Sequence, residues 1–219
     1  YPELRDDIRD ERIDEQVPAV LGENVEYMEK LSRFKKSYDV FLKLYNGRTN
    51  NNTVNATDII EANNTWYIIV DFNNAMSLRE YMDIEEHTLY DVIYALMKTA
   101  ELIHELHTFG ENNYEGECEQ DGYLHLDLTP SNILYVSKDR YARIMDTDSF
   151  IKKSDIWNDN INIVFSRSEG YISPEQESCS RYRLSEKSDI YSLGAILYEY
   201  LVGKRAVAID TFMEAEEMN

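Results

Sequence analysis

The sequence predicts an α+β fold in two lobes, a smaller one made of a helix and strands and a larger one that is mainly helical. Three observations carry that expectation. Apolar residues recur at threes and fours over 25–45 and 89–106, the period of helices with one buried face. Runs rich in Ile, Val, Tyr and Trp near 58–72 and 133–145 come in pairs around turn-forming residues. Between the first pair and the long second helix, Asn73-Asn74-Ala75 is short and turn-prone and reads as a hinge between the lobes.

The first twenty residues are acidic and mixed, and Pro18 interrupts any helix there, so they read as a loop or a short helical turn. From Val25 to Tyr45, Met28, Leu31, Phe34, Tyr38, Phe41, Leu42 and Tyr45 define an amphipathic helix that Asn46-Gly47 stops. Strands are expected at Asp58–Ala62 and Trp66–Phe72, joined through Asn63-Asn64. Ser77 is placed to cap a brief helix through Tyr81, with Glu80 as its capping-box partner. Leu89, Val92, Ile93, Leu96, Met97, Ala100, Ile103 and Leu106 form the cleanest helical stripe in the chain, which predicts a central core helix.

Residues 111–121 are polar and acidic and read as a solvated loop. Ile133–Val136 and Ala142–Met145 read as a strand pair around Lys138-Asp139. Residues 147–169 lack periodicity, and a loop of that length in a compact domain is usually functional. A last helix is expected from Glu186 to Val202, with Ile190, Leu193, Ile196, Leu197 and Leu201 on its buried face and Gly203 ending it.

Composition excludes several function classes. The chain has 219 residues, 43% hydrophobic and 29% charged, which is too apolar for disorder. Its net charge of −20, from 42 acids against 22 bases, repels nucleic acid and anionic lipid surfaces. The same acidity suits a basic peptide or protein partner, with a solvated acidic surface as the plain alternative. No apolar run is long enough to span a bilayer, and the opening Tyr1-Pro2-Glu3-Leu4 is neither a signal peptide nor an initiation site, so the chain reads as a fragment.

Cys118 and Cys179 are far apart and in no metal-like spacing, which predicts free thiols in a reducing, cytoplasmic compartment. Asn51, Asn55 and Asn63 each begin an Asn-x-Thr triplet, but in so Asn-rich a stretch they read as loop residues. His104 and His107 stand three apart, without zincin spacing, and read as structural residues on a helix surface.

Chemistry concentrates in His125-Leu126-Asp127-Leu128-Thr129-Pro130-Ser131-Asn132-Ile133-Leu134, followed after a strand pair by Asp146-Thr147-Asp148. An Asp and an Asn five residues apart on one loop, with a further acid beyond the next strand, suit a site that holds Mg2+ and orients a hydroxyl for phosphoryl transfer.

The order of segments resembles that of protein kinases of the eukaryotic type, in particular the bacterial Ser/Thr enzymes. Asp71-Phe72 with Ser77-Leu78 resembles a hinge and the helix after it, and 125–134 the catalytic loop. Residues 144–148 resemble the metal-binding turn, Gly170-Tyr171-Ile172-Ser173-Pro174-Glu175 the end of the activation segment, and Ser188-Asp189-Ile190-Tyr191-Ser192-Leu193-Gly194 the helix that anchors the site. The resemblance implies a bilobal kinase-like fold with a truncated small lobe. On it, residues 1–72 are part of the N-lobe, starting just after the Lys-bearing strand, and 73–219 are part of the C-lobe with the catalytic loop and activation segment.

It also implies ATP and Mg2+. Asp127 would accept or orient the proton of the attacking hydroxyl, and Asn132 with Asp146 would hold the metal. Adenine would lie over Leu134 and bond to hinge backbone at Asp71 and Asn73, with Val70 as the gatekeeper side chain. Asp189 would bond catalytic-loop backbone, and Ser168 would contact the catalytic loop.

The departures are as specific as the matches. Leu126 replaces the Arg that couples a phosphorylated activation loop to the site, Thr129 replaces the Lys that neutralises the transferring phosphate, and Thr147-Asp148 replace Phe-Gly. The resemblance places Ser37 where the partner of the strand Lys belongs, with Glu29 and Asp39 as alternatives on other turns, and Glu175 lacks its expected Arg partner. The resemblance therefore allows a Ser/Thr protein kinase, a pseudokinase serving as a nucleotide-binding or protein-interaction module, and, with less support from 170–175 and 188–194, a small-molecule phosphotransferase.

Overall fold

A computed structural model describes residues 27–28, 31–32, 34–36, 38–40, 56–62, 65–70, 75–84, 87–112, 118–119, 121–136, 141–146, 149–163, 165–166 and 168–205. Two compact units result, Tyr1–Asn73 and Asn74–Asn219.

In the first unit the described residues between 27 and 40 are helical, with Tyr27, Leu31, Tyr38 and Val40 buried. Met28, expected on the apolar face, is 45% exposed. Tyr27, Leu31 and Tyr38, at spacings of four and seven, form the buried line, and Met28 lies one position round the helix from it. Strands β1 (Ala56–Ala62) and β2 (Thr65–Val70) pair antiparallel from Ala62↔Thr65 to Ala56↔Val70. Both are rich in β-branched residues, which pack well on a pleated surface. The expected helix end at 41–47, the turn Asn63-Asn64, Phe72 and the hinge residues Asn73 and Asn74 lie outside the described residues.

The second unit is built around a three-stranded antiparallel sheet in which β7 (Ile133–Val136) lies between β3 (Met76–Ser77) and β8 (Tyr141–Ile144). β3 has only two residues, too few for any periodicity to announce it. Ser77 also caps α1 (Leu78–Met82): its Oγ accepts from the Glu80 N–H at 3.1 Å, and Glu80 Oε2 accepts from the Ser77 N–H at 2.8 Å.

Helix α2 (Leu89–His107) starts on a second capping box, Thr88 with Asp91. It packs against β8, β6 (Tyr123–Leu124) and the last helix. Val92, Leu96, Ile103 and Leu106 are buried as expected, but Leu89, Ile93 and Met97 are exposed. These three form a separate i, i+4, i+8 line, turned away from the packed elements. Residues expected as a plain loop include a short strand pair, β4 (Glu111–Asn112) with β5 (Cys118–Glu119).

At Gly122 the chain passes the end of α2 so closely that a Cβ would lie 1.9 Å from the His107 carbonyl oxygen, and φ is 65°. Only glycine fits that approach. The segment then enters β6, which pairs with β9 (Ile151–Lys152). The expected long loop supplies Ile156 and Ile163 to a buried cluster with Leu124, Leu126 and Leu184.

Helix α3 (Pro174–Glu177) is a single turn, and α4 (Glu186–Val202) ends on Gly203 at φ 73°, whose N–H bonds the Glu199 carbonyl at 2.8 Å. The buried face of α4 matches the expected apolar one only in part, at Leu193 and Ile196. Ile190 and Leu201 are exposed, while Ser188, Asp189, Ser192, Leu193, Ala195 and Ile196 are buried. The helix turns the hydrogen-bonding groups of Ser188, Asp189 and Ser192 inward.

Candidate active site

Asp189 is wholly buried on α4, which is costly for a carboxylate unless donors surround it. Three do: Oδ2 accepts from His107 Nε2 at 2.8 Å and from the His125 N–H at 2.9 Å, and Oδ1 accepts from the Leu126 N–H at 2.8 Å. His107 is therefore a buried tether between α2 and α4, not the surface histidine its spacing suggested.

Leu126 has φ 62°, a left-handed backbone that a branched side chain rarely adopts. It is held on both sides, its N–H by Asp189 and its carbonyl by Gln176 Nε2 at 2.7 Å. Gln176, 1% exposed, comes from α3. The kink presents Asp127 immediately after it. The Asp127 N–H donates to His125 Nδ1 at 3.2 Å, and the other ring nitrogen faces the Met145 carbonyl at 3.3 Å. Ser149 Oγ donates to the His125 carbonyl at 2.7 Å, so the loop is tied directly to the segment after β8.

Asn132 closes the loop. Its Nδ2 donates to the Asp127 carbonyl at 2.9 Å, and its own carbonyl accepts from the Met145 N–H at 2.7 Å. With Ile133 opposite Ile144 in the sheet, Asn132 and Asp146 lie at adjoining ends of β7 and β8. Asp146 is exposed and also left-handed, at φ 59°. Thr129 is buried, and its hydroxyl caps the 3-10 turn Pro130–Asn132 by accepting from the Asn132 N–H at 3.3 Å.

Asp127 Oδ1 receives two hydroxyls, from Ser168 at 2.7 Å and from Ser166. Leu134 is buried with Ala75 and Val136. Thus Asp127, Asn132, Asp146 and Leu134 share one framework in the second unit. Val70 is the last residue of β2 in the first unit, and Asp71, Asn73 and Ser37 lie outside the described residues.

Glu175, expected to lack its Arg partner, accepts from Ser188 Oγ at 2.5 Å. Arg181 stakes the loop 155–161 by donating to the carbonyls of Asp155, Ile156, Asn158 and Ile161. Ser166, Gln176, Ser149 and Arg181 escaped the reading of the sequence, and neither periodicity nor spacing marks them.

A second polar cluster fixes the segment that carries Ser168. Arg79 of α1 donates to Glu199 of α4 at 2.8 Å and to the Tyr171 hydroxyl, which in turn donates to Glu199. The Tyr171 carbonyl accepts from Ser192 Oγ at 2.8 Å. Burial alone would raise the Glu199 carboxyl, but bonds from Arg79 and Tyr171 outweigh it and hold the group below its ordinary value. Burial, then the bond to Glu199, pushes the Tyr171 hydroxyl up.

A carboxyl lowered in the folded state stabilises above its unfolded value, here 4.5, and that contribution fades as pH falls through the folded value. Glu199→Gln is therefore expected to lower Tm near neutral pH, with the gap to wild type closing below pH 4.5. Thermal melts across pH check this, and a gap independent of pH would show that the charge contributes nothing.

Comparison with known proteins places residues 32–218 on the family model described as protein kinase domain. A calmodulin-binding receptor-like cytoplasmic kinase 2 of Arabidopsis thaliana is 27% identical over 150 residues, 65% of this chain and 33% of that protein. A probable serine/threonine-protein kinase PknB of Lactococcus lactis is 27% identical over 157 residues, 70% of this chain and 22% of its own. The serine/threonine-protein kinase Nek2 of Mus musculus is 40% identical over 83 residues, 35% of this chain and 16% of that one. The chain thus spans a third or less of each of these relatives.

Proposed function

The chain belongs to the protein kinase domain family, and from that premise we propose that it binds ATP with Mg2+ and transfers the γ-phosphoryl group to Ser or Thr hydroxyls of a protein. The observation that carries the reading is the single hydrogen-bonded framework joining Asp127, Asn132 and the backbone next to Asp146. Asp127 takes the proton of the acceptor hydroxyl, a role for which a carboxylate needs no unusual tuning at neutral pH.

Asn132 and Asp146 fit a hard cation. Asn132 directs its amide N–H to the Asp127 carbonyl, which leaves its amide oxygen for a metal, and Asp146 adds a carboxylate. Among the described residues no group of three or more His, Cys, Asp or Glu could hold an ion alone. Two oxygens suit a metal that arrives with phosphates, as Mg2+ does, and the bound ion neutralises phosphate charge. Leu134 is proposed to meet the adenine, and Val70, Asp71 and Asn73 keep the roles that the family resemblance implies.

The net charge of −20 supports a basic protein acceptor. No helix of the described residues is long and apolar enough to cross a membrane, and a cytoplasmic location is proposed in line with the name of the Arabidopsis relative.

Thr129 favours a second reading, a nucleotide-binding module without transfer. Buried and used as a cap, it offers no charge where the family places a cation. One experiment separates the two. With labelled ATP, Mg2+ and a mixed basic acceptor protein, Asp127→Asn is expected to reduce turnover on the order of 10²–10⁴-fold. Transfer unchanged by Asp127→Asn would remove that residue from its role. No transfer, together with an ATP-dependent rise in Tm, would select the binding module.

A further inference from the structure

One oxygen of Asp127 carries two hydroxyls, and only one of them is accounted for by the family resemblance. Ser168 Oγ donates to Oδ1 at 2.7 Å, and Ser166 Oγ donates to the same atom. The Ser168 N–H donates to Ser166 Oγ at 3.2 Å and so fixes where the Ser166 hydroxyl sits. Each hydroxyl has one proton. With both protons on Oδ1, the two serine oxygens, 3.1 Å apart, need no bond to each other. Among the described residues the other carboxylate oxygen meets only Asn132 Nδ2, at 3.4 Å, a long and weak approach.

The outer torsion of an Asp side chain is broad and close to two-fold, so one hydrogen bond leaves the oxygens able to trade places. Two donors reaching the same oxygen from different residues remove that freedom. The usual cation is absent, because Thr129 stands in its place and points its hydroxyl back to the turn.

We propose that Ser166 is a positioning residue for Asp127: with Ser168 it pins Oδ1, so that Oδ2 is the oxygen presented to the acceptor hydroxyl. The assignment rests on the reading of Asp127 as proton acceptor. Both donors belong to the segment that Arg79, Tyr171 and Glu199 anchor, so that segment orients the carboxylate through two hydroxyls.

Steady-state transfer from ATP to a mixed basic acceptor protein, measured with the full chain and Mg2+, tests it. Ser166→Ala is expected to lower kcat about 10-fold, through misorientation of the reacting group, with both KM values nearly unchanged. Ser166→Thr, which keeps the hydroxyl, is expected to restore kcat. An unchanged kcat in Ser166→Ala, or a fall that Ser166→Thr does not reverse, would overturn the proposal. Turnover insensitive to Asp127→Asn would instead count against the proton-acceptor reading on which the proposal depends. If the wild type transfers nothing, crystal structures of wild type and Ser166→Ala decide the positioning role. A carboxylate of Asp127 that rotates or splits in the variant supports it, and one that keeps its orientation sinks it.

Discussion

Asp189→Ala is expected to destabilise the larger unit by about 3–5 kcal/mol, because it removes the acceptor shared by three buried donors. The cost is dominated by what stays behind. The His107 imidazole and the N–H groups of His125 and Leu126 would face a void in place of the carboxylate. The Leu126 backbone, left-handed at φ 62°, would also lose one of the two bonds that hold it, so the kink presenting Asp127 should relax. Asp189→Asn is a milder probe, since it keeps one acceptor oxygen but turns an amide N–H towards a donor. Urea denaturation measures both, read as the shift in midpoint at constant slope. An Ala variant that unfolds at the wild-type midpoint would show that the three bonds are dispensable.

The same residue shows why part of the site was legible in the sequence and part was not. Asp127, Asn132 and Asp146 are set by local geometry: five residues on one loop, then a strand pair whose register returns the chain to its starting point. Such constraints are written in consecutive residues. Gln176 reaches Leu126 across 50 positions, Ser166 reaches Asp127 across 39, and Arg79 reaches Glu199 across 120. Their side chains are common and their spacing arbitrary, so only the folded chain brings them together.

The helices teach a related lesson. Capping boxes at Ser77 and Thr88 start α1 and α2, and the first was legible because Ser-x-x-Glu is a local pattern. Hydrophobic periodicity also located α4 and placed Leu193 and Ile196 in the core, yet it missed the polar residues buried beside them. Ile190 and Leu201 continue an apolar stripe but are exposed, while Ser188, Asp189 and Ser192 turn inward to bond Glu175, the backbone of His125 and Leu126, and Tyr171. Periodicity assumes that buried means apolar. A helix that builds a site breaks that assumption, and polar residues at its packed positions are the sign of it.

Asp146→Asn is expected to abolish most of the Mg2+-dependent rise in thermal stability that ATP confers. Asn is the substitution of choice because it tolerates the left-handed backbone at φ 59°, so the variant changes the charge of the ligand and not the path of the chain. A ligand at 100 times its Kd stabilises the folded state by about 2.7 kcal/mol, and a 100-fold loss of affinity reduces that to about 0.4 kcal/mol. Losing the only carboxylate of a two-oxygen set is a change of that order, because affinity for a hard cation follows the number of charged ligands. Melts with ATP, with and without Mg2+, give the comparison for each protein against its own nucleotide-free baseline. Wild type deprived of Mg2+ should behave as the variant does with it. Equal gains in wild type and variant at saturating Mg2+ would remove Asp146 from the metal site and leave Asn132 as its sole proposed protein ligand.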